Sequence, residues 1–244
     1  MQNVIIFNNL RSFAYCNSHL CVAPIRGIVL SFFGLNGASM FDEDPVEACQ
    51  YAEKGILYVV PYQNPWAWMN KQTVAYTDEI IDVLFQEYQL PKNLPIISTG
   101  QSMGGLSALV YSVYAKRTPT ACVANCPVCD LPYHYKERPD LPRTLYSAFG
   151  SYSGTLDEAL RSASPIHLVD RMPQNMHYYV FHCEEDMSVN KQQHSDRFVE
   201  KMCLNHVIDY YTVPNRGHCD LTKEMREKYN ECILQSVDEA FEKN

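Results

Sequence analysis

The chain has 244 residues, of which 46% are hydrophobic, and this length suits one large α/β domain with a full apolar core. Its 20 Lys and Arg residues against 28 Asp and Glu residues give a formal net charge of −8 at pH 7. That acidic balance argues against nucleic acid or an anionic membrane surface as the main partner. No apolar run is long enough to span a bilayer, and residues 1–10 lack a basic leader with a cleavage site. We therefore expect a soluble, cytoplasmic protein.

Short apolar runs alternate along the chain with segments of helical periodicity. Two strands are predicted at residues 4–7 and 10–16, and we expect them to form an antiparallel pair. Further strands are predicted at 27–33, 56–62, 94–99, 120–125, 176–181 and 207–213, and helices at 44–54, 73–89, 104–116 and 221–241. Near-continuous apolar strands with helices between them predict an α/β fold, in which a mostly parallel sheet is covered by helices on both faces.

Residues 127–173 interrupt this alternation with sequence rich in Pro and Tyr. The segment is too long to be a plain connection in a compact domain. We predict a small cap inserted over one end of the sheet, within a single domain that covers residues 1–244. No periodic pattern within the segment indicates how it folds.

Ten cysteines raise the question of disulfides or a metal site. The tightest group is Cys122, Cys126 and Cys129. Only Cys126 and Cys129 have the spacing of one half of a structural zinc site, which usually has two such halves. Disulfides are also disfavoured, since no secretion signal is seen. We expect reduced, mostly buried thiols and no metal.

Residues 100–104 read Gly-Gln-Ser-Met-Gly and lie where a predicted strand turns into a predicted helix. G-x-S-x-G in that context is typical of a nucleophile elbow, in which small residues let strand and helix approach while the serine hydroxyl projects from the turn. The alternative is an ordinary glycine-rich turn with an incidental serine. The strand before the motif and the helix after it favour Ser102 as a nucleophile.

A serine hydroxyl is a weak nucleophile and needs a base that a carboxylate orients. Two later segments supply these groups, and each directly follows a predicted strand: H-C-E-E-D-M-S-V at 182–189 and N-R-G-H-C-D at 215–220. Because active sites of open α/β sheets form at the carboxyl ends of the strands, Ser102, a carboxylate and His218 should converge there.

Together these segments resemble the α/β-hydrolase superfamily, and within it the compact esterases and the catalytic domains of prolyl-oligopeptidase-type enzymes. The resemblance covers nearly the whole chain and implies the α/β-hydrolase fold. Residues 182–189 are similar to the family's H-G-x-x-D-x-x-V acid loop, with Cys183 in place of the glycine. By position in that pattern Asp186 is the acid, with Glu184 and Glu185 as alternatives, and His218 is the base.

Acyl transfer also needs two donors for the oxyanion, each contributing about 3 kcal/mol. The N–H of Met103, directly after the nucleophile, is one candidate. The second is expected after the strand at 27–33, where the family usually has H-G-x and this chain has Phe33-Gly34-Leu35. We assign the N–H of Leu35.

Both tryptophans lie in the segment N-P-W-A-W-M-N at 64–70, at the carboxyl end of a predicted strand. The rings of Trp66 and Trp68 are candidates to bind substrate, by stacking on a sugar or by walling an acyl pocket; packing of the cap onto the body is the alternative. His134, in the cap, is a candidate for the entrance or a solvated surface residue. His182, beside the acid, is expected to be a buried structural histidine.

These residues predict a serine hydrolase without a cofactor, which cleaves small-molecule carboxylic esters of small acyl groups; acetyl on a carbohydrate is one option. A peptidase is the chemical alternative, since the same triad cleaves amides. Oligopeptidases of this family, however, usually carry a large extra domain, and 244 residues leave no room for one. A noncatalytic ligand receptor of the same fold is the alternative from another class. Such receptors commonly lose a triad residue, and all three candidates are present here. The sequence does not indicate the oligomeric state.

Overall fold

Seven strands form one sheet in the computed structural model, which describes residues 4–37 and 39–242; the first three residues of the segment 1–10 lie outside that description. The strands are β1 (Ala14–Cys16), β2 (Gly27–Phe32), β3 (Ile56–Pro61), β4 (Ile96–Gln101), β5 (Ala121–Asn125), β6 (His177–Cys183) and β7 (Val207–Val213). They lie in the order β1-β3-β2-β4-β5-β6-β7, and β1 alone of these strands is antiparallel to its neighbour. The mostly parallel sheet predicted from the sequence is therefore present, with β4 at its centre.

The strands are connected largely by helices. These are α1 (Val46–Glu53), α2 (Lys71–Glu87), α3 (Met103–Tyr114), α4 (Leu131–Glu137), α5 (Leu141–Phe149), α6 (Leu156–Ser162), α7 (Pro165–Leu168), α8 (Arg197–Met202) and α9 (Lys223–Glu242). A short π-helical stretch, Gln192–Asp196, leads into α8, and three 3-10 turns lie at Phe7–Ser12, Ser18–Leu20 and Val169–Arg171. No helix in the described ranges is long and apolar enough to cross a membrane.

Alternate side chains of the central strands enter two apolar cores, one on each face of the sheet. On one face Ile28, Leu30 and Val180 pack with residues of α2, α3 and α8. On the other face Val29 and Ile97 pack with residues of α1 and α9. Because both faces are covered, the strands need apolar residues at successive positions, which explains their near-continuous apolar sequence.

The N-terminal prediction of two paired strands is wrong. Residues 4–7 form no strand, and β1 pairs instead with β3, with Ala14 opposite Pro61. The run of β-branched residues Val4, Ile5 and Ile6 is typical of a strand, but Val4 and Ile6 are exposed and Ile5 is buried. The Ile5 N–H, however, donates to Glu79 Oε1 at 3.0 Å, and the chain then enters a 3-10 turn. A side chain of α2 therefore takes the place of a strand partner.

Helices α4 to α7 fold from the segment 127–173, which we call the cap segment. Three of these helices carry proline in their first turn, where the missing N–H costs nothing. The fourth, α6, begins with a capping box in which Thr155 and Glu158 bond each other's backbone N–H groups. A sequence rich in proline is thus compatible with short helices, because the prolines lie in first helical turns or in the connections between helices.

All ten cysteines are free thiols in the structure, and six of them are buried. The Cys129 Sγ–H points to Pro127 O at 3.6 Å. Among the described residues, Cys129 belongs to no cluster of three potential metal donors, whereas Cys126 does. Cys126 and Cys129 thus do not share a cluster of three potential donors among the described residues.

Candidate active site

Ser102 lies in the turn between β4 and α3 and has the strained conformation φ 59°, ψ −123°. Its N–H donates to Asn125 O at 2.9 Å, which ties the turn to the end of β5. A β-carbon on Gly100 would lie 2.5 Å from the Gly104 carbonyl, and one on Gly104 would lie 2.1 Å from Phe32 O. Only glycine fits at these two positions, so the spacing of the motif has the steric cause that the sequence predicts.

Asp186 and His218 face each other across the loops that follow β6 and β7. His218 Nδ1 donates to Asp186 Oδ2 at 2.6 Å. The other carboxylate oxygen, Oδ1, accepts the backbone N–H groups of Ser188 at 2.8 Å and Val189 at 2.9 Å. The Asp186 carboxylate is fully buried, whereas 26% of the His218 side chain is exposed. The neighbouring Glu184 and Glu185 are exposed, so the structure pairs His218 with Asp186 and with neither alternative.

These contacts determine the charge state of the pair. Burial raises the pKa of Asp186, but hydrogen bonds from His182, His218 and the Val189 N–H outweigh it, and the pKa lies well below its usual value. Burial lowers the pKa of His218, but hydrogen bonds to Asp186 and Cys126 outweigh it and raise the pKa to about 9. Asp186 is therefore an anion that fixes one proton of His218 on Nδ1. Nε2 accepts a further proton only in the neutral ring, whose share grows as the pH approaches 9.

His182 lies against the Asp186 carboxylate and is the buried structural histidine that we expect from the sequence. Its ring is fully buried, with Nε2 3.1 Å from Val189 O and Nδ1 2.6 Å from Ser195 Oγ. Because a carbonyl only accepts, Nε2 carries the proton and Nδ1 accepts the serine O–H. Asp186 Oδ2 lies 3.3 Å from the same Nε2. The acid is thus held by groups on β6 and on the π-helical stretch.

The loops of Ser102 and His218 meet at Asn125. While Asn125 O accepts the Ser102 N–H, its Nδ2 donates to Cys219 O at 3.3 Å. In the described part of the chain, Ser102 Oγ has no hydrogen bond to His218; Nε2 lies 3.5 Å from Cys219 Sγ instead. Hydrogen bonds between nucleophile and base are often long in free hydrolases and shorten when substrate binds.

The two predicted oxyanion donors flank Ser102. Met103 is the first residue of α3, where backbone N–H groups have no partner within the helix. The loop of Gly34 and Leu35 lies on the other side, since a β-carbon on Gly34 would be 3.9 Å from Ser102 Cβ. Within the described residues, neither the Met103 nor the Leu35 N–H donates to a protein acceptor. Both N–H groups are therefore free of protein acceptors, and Gly34, next to Leu35, lies close to Ser102.

The two tryptophans occupy different environments. Trp66 is partly exposed, and its Nε1 donates to Asn36 Oδ1 at 2.7 Å, next to the Leu35 loop. Trp68 is only 1% exposed, and its Nε1 donates to Thr144 Oγ1 of α5 at 3.1 Å. Trp68 therefore packs the cap segment onto the body, whereas Trp66 remains accessible near the candidate oxyanion donors.

His134 is neither an entrance residue nor a surface residue, because it is 2% exposed. Its Nδ1 lies 2.6 Å from Glu137 Oε2, and His194 Nε2 lies 3.0 Å from the same oxygen. His194 Nδ1 accepts two backbone N–H groups, so its Nε2 must donate to Glu137. Burial lowers the pKa of His134 to about 4. Sequence spacing gives no sign of this network, because His194 is far from His134 along the chain.

A cavity of about 470 Å³ opens beside the elbow between β2, β4, α1 and α9. Gly34, Gln101 and Cys219 line it on the side of Ser102. Its other walls are largely aromatic with a few polar groups: Phe33, Phe41, Tyr51, Tyr58, Tyr229, Glu47, Arg226 and Asn230. The sequence did not indicate this cavity, because its walls come from five separate stretches of chain.

No protein-family model and no curated protein matches the sequence at a significant level. Solved structures do match in three dimensions: puromycin hydrolase superposes with a TM-score of 0.74 at 18% identity, over 90% of this chain and 35% of that one. The chain has the α/β-hydrolase fold. A thermophilic esterase of Thermogutta terrifontis gives a TM-score of 0.64 at 17% identity, over 93% of this chain and 86% of the esterase.

An acylaminoacyl peptidase of Pyrococcus horikoshii has the same fold, with a TM-score of 0.66 at 12% identity over 87% of this chain. The chain thus spans 37% of that peptidase and 35% of puromycin hydrolase, but most of the esterase. The resemblance to α/β-hydrolases that the motifs indicate is confirmed for the fold.

Proposed function

We propose that this chain is a serine hydrolase that cleaves carboxylic esters of small acyl groups. The observation that carries the proposal is the 2.6 Å hydrogen bond between His218 Nδ1 and the buried Asp186 carboxylate, at the same sheet edge as Ser102 on its strained elbow. An acid, a base and a hydroxyl in this order and topology are what acyl transfer requires.

In the proposed reaction, Ser102 Oγ attacks the ester carbonyl while His218 Nε2 takes its proton. The imidazolium that forms keeps its Nδ1–H on Asp186, whose negative charge stabilises it. The N–H groups of Met103 and Leu35 bind the oxyanion. The intermediate then expels the alcohol, which takes the proton from Nε2 and leaves an acyl-serine. Water repeats the sequence, giving its proton to His218, and releases the carboxylic acid and Ser102.

We expect ester cleavage rather than peptide cleavage, because the chain is similar in length to an esterase on which it superposes. The Thermogutta terrifontis esterase 2 is described as phosphonylated by sarin, and this chain spans 89% of it. The peptidases that superpose are spanned only in part.

The surroundings of Ser102 favour a small acyl group. Trp66 is hydrogen-bonded to Asn36, the residue after Leu35, and we expect its ring to restrict the space next to the oxyanion donors. The cavity of about 470 Å³ beside the elbow is lined by polar groups as well as aromatic rings. Such a lining suits an ester whose alcohol part carries hydroxyl groups. Trp66, rather than the buried Trp68, is the tryptophan that we place at the substrate.

A fluorophosphonate probe tests whether Ser102 is activated. We expect labelling of the wild type, no labelling of Ser102→Ala, and a decrease in turnover on the order of 10⁴-fold for Asp186→Asn, because the imidazole loses its fixed tautomer. Glu184→Gln and Glu185→Gln are matched controls that should keep wild-type activity, since both side chains are exposed. Absence of labelling in the wild type would favour the noncatalytic receptor.

A substrate panel distinguishes esterase from peptidase. It compares p-nitrophenyl esters of increasing acyl length with aminoacyl p-nitroanilides at equal concentration. We expect kcat/KM to be highest for acetyl and propionyl esters. Faster cleavage of the anilides would replace the esterase by a peptidase that uses the same residues.

A further inference from the structure

Two thiols lie beside the free nitrogen of the candidate base. Cys219 Sγ is 3.5 Å from His218 Nε2, and Cys126 Sγ is close enough that all three donor atoms lie within 4.8 Å of one another. Donors around one tetrahedral zinc ion are about 3.6–3.8 Å apart, given Zn–S and Zn–N bonds of about 2.3 and 2.0 Å. The three atoms therefore need only small movements to share one ion.

Cys126 Sγ also receives the hydrogen bonds that a thiolate ligand requires. The backbone N–H groups of Cys183 and Cys219 both donate to it at 3.4 Å. These donors come from separate loops, those after β6 and β7, and both point at the same sulfur. Two backbone N–H groups directed at one sulfur are suitable donors to a metal-bound thiolate.

The third ligand is oriented in the way that metal-binding histidines are. His218 Nδ1 donates to the buried Asp186 carboxylate, so the lone pair of Nε2 points away from Asp186 and towards the thiols. A carboxylate on the far nitrogen fixes the tautomer and increases the basicity of a metal-binding imidazole. His218 and Cys219 are both partly exposed, so an ion from solvent can reach the site.

We propose that Cys126, Cys219 and His218 form an inhibitory site for a thiophilic divalent cation, with Zn²⁺ as the physiological ion. The set of two sulfurs and one imidazole matches tetrahedral Zn²⁺, with solvent as the fourth ligand, and does not suit the hard cations Mg²⁺ and Ca²⁺. This is not the C-x-x-C pair of the sequence, since Cys129 lies outside the cluster.

Bound metal blocks hydrolysis because it uses the nitrogen that must accept the Ser102 proton. This consequence rests on the proposed function, whereas binding itself does not. When one ion binds, the two thiol protons leave to solvent, and so does the Nε2 proton of any imidazolium present. The acyl-transfer cycle stops with the metal bound and resumes when a chelator removes it.

Binding is measured first, without any need for activity. Ser102→Ala protein, kept reduced with a phosphine, is titrated with Cd²⁺, whose thiolate complexes absorb in the near ultraviolet. We expect one equivalent to give a band that Cys126→Ala and Cys219→Ser each reduce and that the control Cys203→Ser, at an exposed cysteine outside the cluster, leaves unchanged. The same band in all four proteins would overturn the site.

Inhibition is measured next on an acetyl ester, with and without a chelator. Zn²⁺ should inhibit reversibly and Mg²⁺ should not. With the rate of each protein divided by its own rate in chelator, Cys219→Ser should raise the half-inhibiting Zn²⁺ concentration about 10- to 100-fold, because one thiolate ligand is lost. Unchanged Zn²⁺ sensitivity in Cys219→Ser and Cys126→Ala would refute the proposal. A wild type that binds Cd²⁺ as expected but hydrolyses no ester would instead refute the proposed function alone.

Discussion

The glycines of the elbow differ in the space that each leaves for a β-carbon, so alanine substitutions there should destabilise the protein to different degrees. We expect Gly104→Ala to cost about 1–3 kcal/mol or more of unfolding free energy and to abolish fluorophosphonate labelling, because its β-carbon would lie 2.1 Å from Phe32 O. Gly105→Ala should cost less, since its closest contact is a side-chain atom of Pro127 at 3.0 Å. Urea denaturation measures both.

Gly217→Ala is the matched control for stability, since nothing lies within 4 Å of a β-carbon there. Its unfolding free energy should stay within about 0.5 kcal/mol of wild type. Equal stability and equal labelling of the Gly104→Ala and Gly217→Ala variants would mean that the elbow is not the rigid turn described.

The charge state of His218 predicts the pH dependence of hydrolysis. Its pKa is raised to about 9 by Asp186 and Cys126 despite burial, and only the neutral imidazole accepts the Ser102 proton. We therefore expect kcat/KM to keep rising from pH 7 towards 9. In Asp186→Asn the imidazole loses its anionic partner, and its pKa, followed by NMR titration, should decrease. A wild-type profile that is flat above pH 7 would contradict this assignment.

At this scale the sequence predicts Ser102, Asp186 and His218 as the candidate triad, because each lies in a short local pattern directly after a strand. It does not predict that Cys126 and Cys219 lie beside His218. That contact depends on the end of β5 meeting the loop after β7, and 93 residues separate the two thiols along the chain. Local motifs carry no information about such long-range contacts.

Among the elements, α4 is joined to the π-helical stretch by one carboxylate. Glu137 accepts His134 and His194 through Oε2 and the Asn190 N–H through Oε1 at 2.8 Å. In Glu137→Gln one of the two acceptor oxygens becomes an NH₂ group, which donates, so the amide cannot accept all of these N–H groups. We expect a loss of about 1–3 kcal/mol in unfolding free energy. Glu184→Gln, at an exposed glutamate, is the control and should change it by less than about 0.5 kcal/mol. Equal stability of the two variants would contradict the network.

The same network predicts acid sensitivity. The pKa of His134 is lowered from 6.5 to about 4 in the folded state, so the unfolded chain binds more protons between these values. Stability should therefore fall as the pH is lowered from about 6.5 to about 4. The pKa of Glu137 is also lowered, and its contribution is lost as the pH falls below 4.5. Denaturant midpoints across this range should show a shallower decline in His134→Gln, and an unchanged decline would contradict the assignment.

The elements themselves were predictable to differing degrees. The sequence predicts β2 to β6 because each is a buried, largely apolar run, and β7, which is only partly buried, because of its β-branched and aromatic residues. It predicts α1, α2, α3 and α9 because their apolar residues recur with helical period. The helices of the cap segment are not predictable, because they are only four to nine residues long and are stabilised by contacts with one another and, for α7, with α3. The strand predicted at residues 4–7 is wrong because a β-branched run is typical of strands, whereas here the Ile5 N–H bonds a side chain of α2.

For the whole molecule, the alternation of strands and helices was enough to predict the fold class and the edge of the sheet at which the candidate site forms. It did not determine how the cap segment meets the body. The two tryptophans at that junction could not be separated by sequence, since both lie in one loop and have the same chemistry. The structure separates them by burial, and this difference leads to opposite expectations for their substitution.

Trp68→Ala should destabilise the protein by about 3–5 kcal/mol, because the ring is fully enclosed and its removal leaves a cavity between α5 and the body.

Trp66→Ala should lower the unfolding free energy by only about 1 kcal/mol, the value of its hydrogen bond to Asn36. It should also relax the preference for acetyl over octanoyl esters by about 1–3 kcal/mol in kcat/KM, because the missing ring gives space for more methylenes. Urea midpoints and the ester panel measure the two effects on the same proteins. If Trp66→Ala leaves the acetyl-to-octanoyl ratio unchanged, the acyl wall lies elsewhere; if the wild type already prefers octanoyl esters, the small-acyl proposal is wrong.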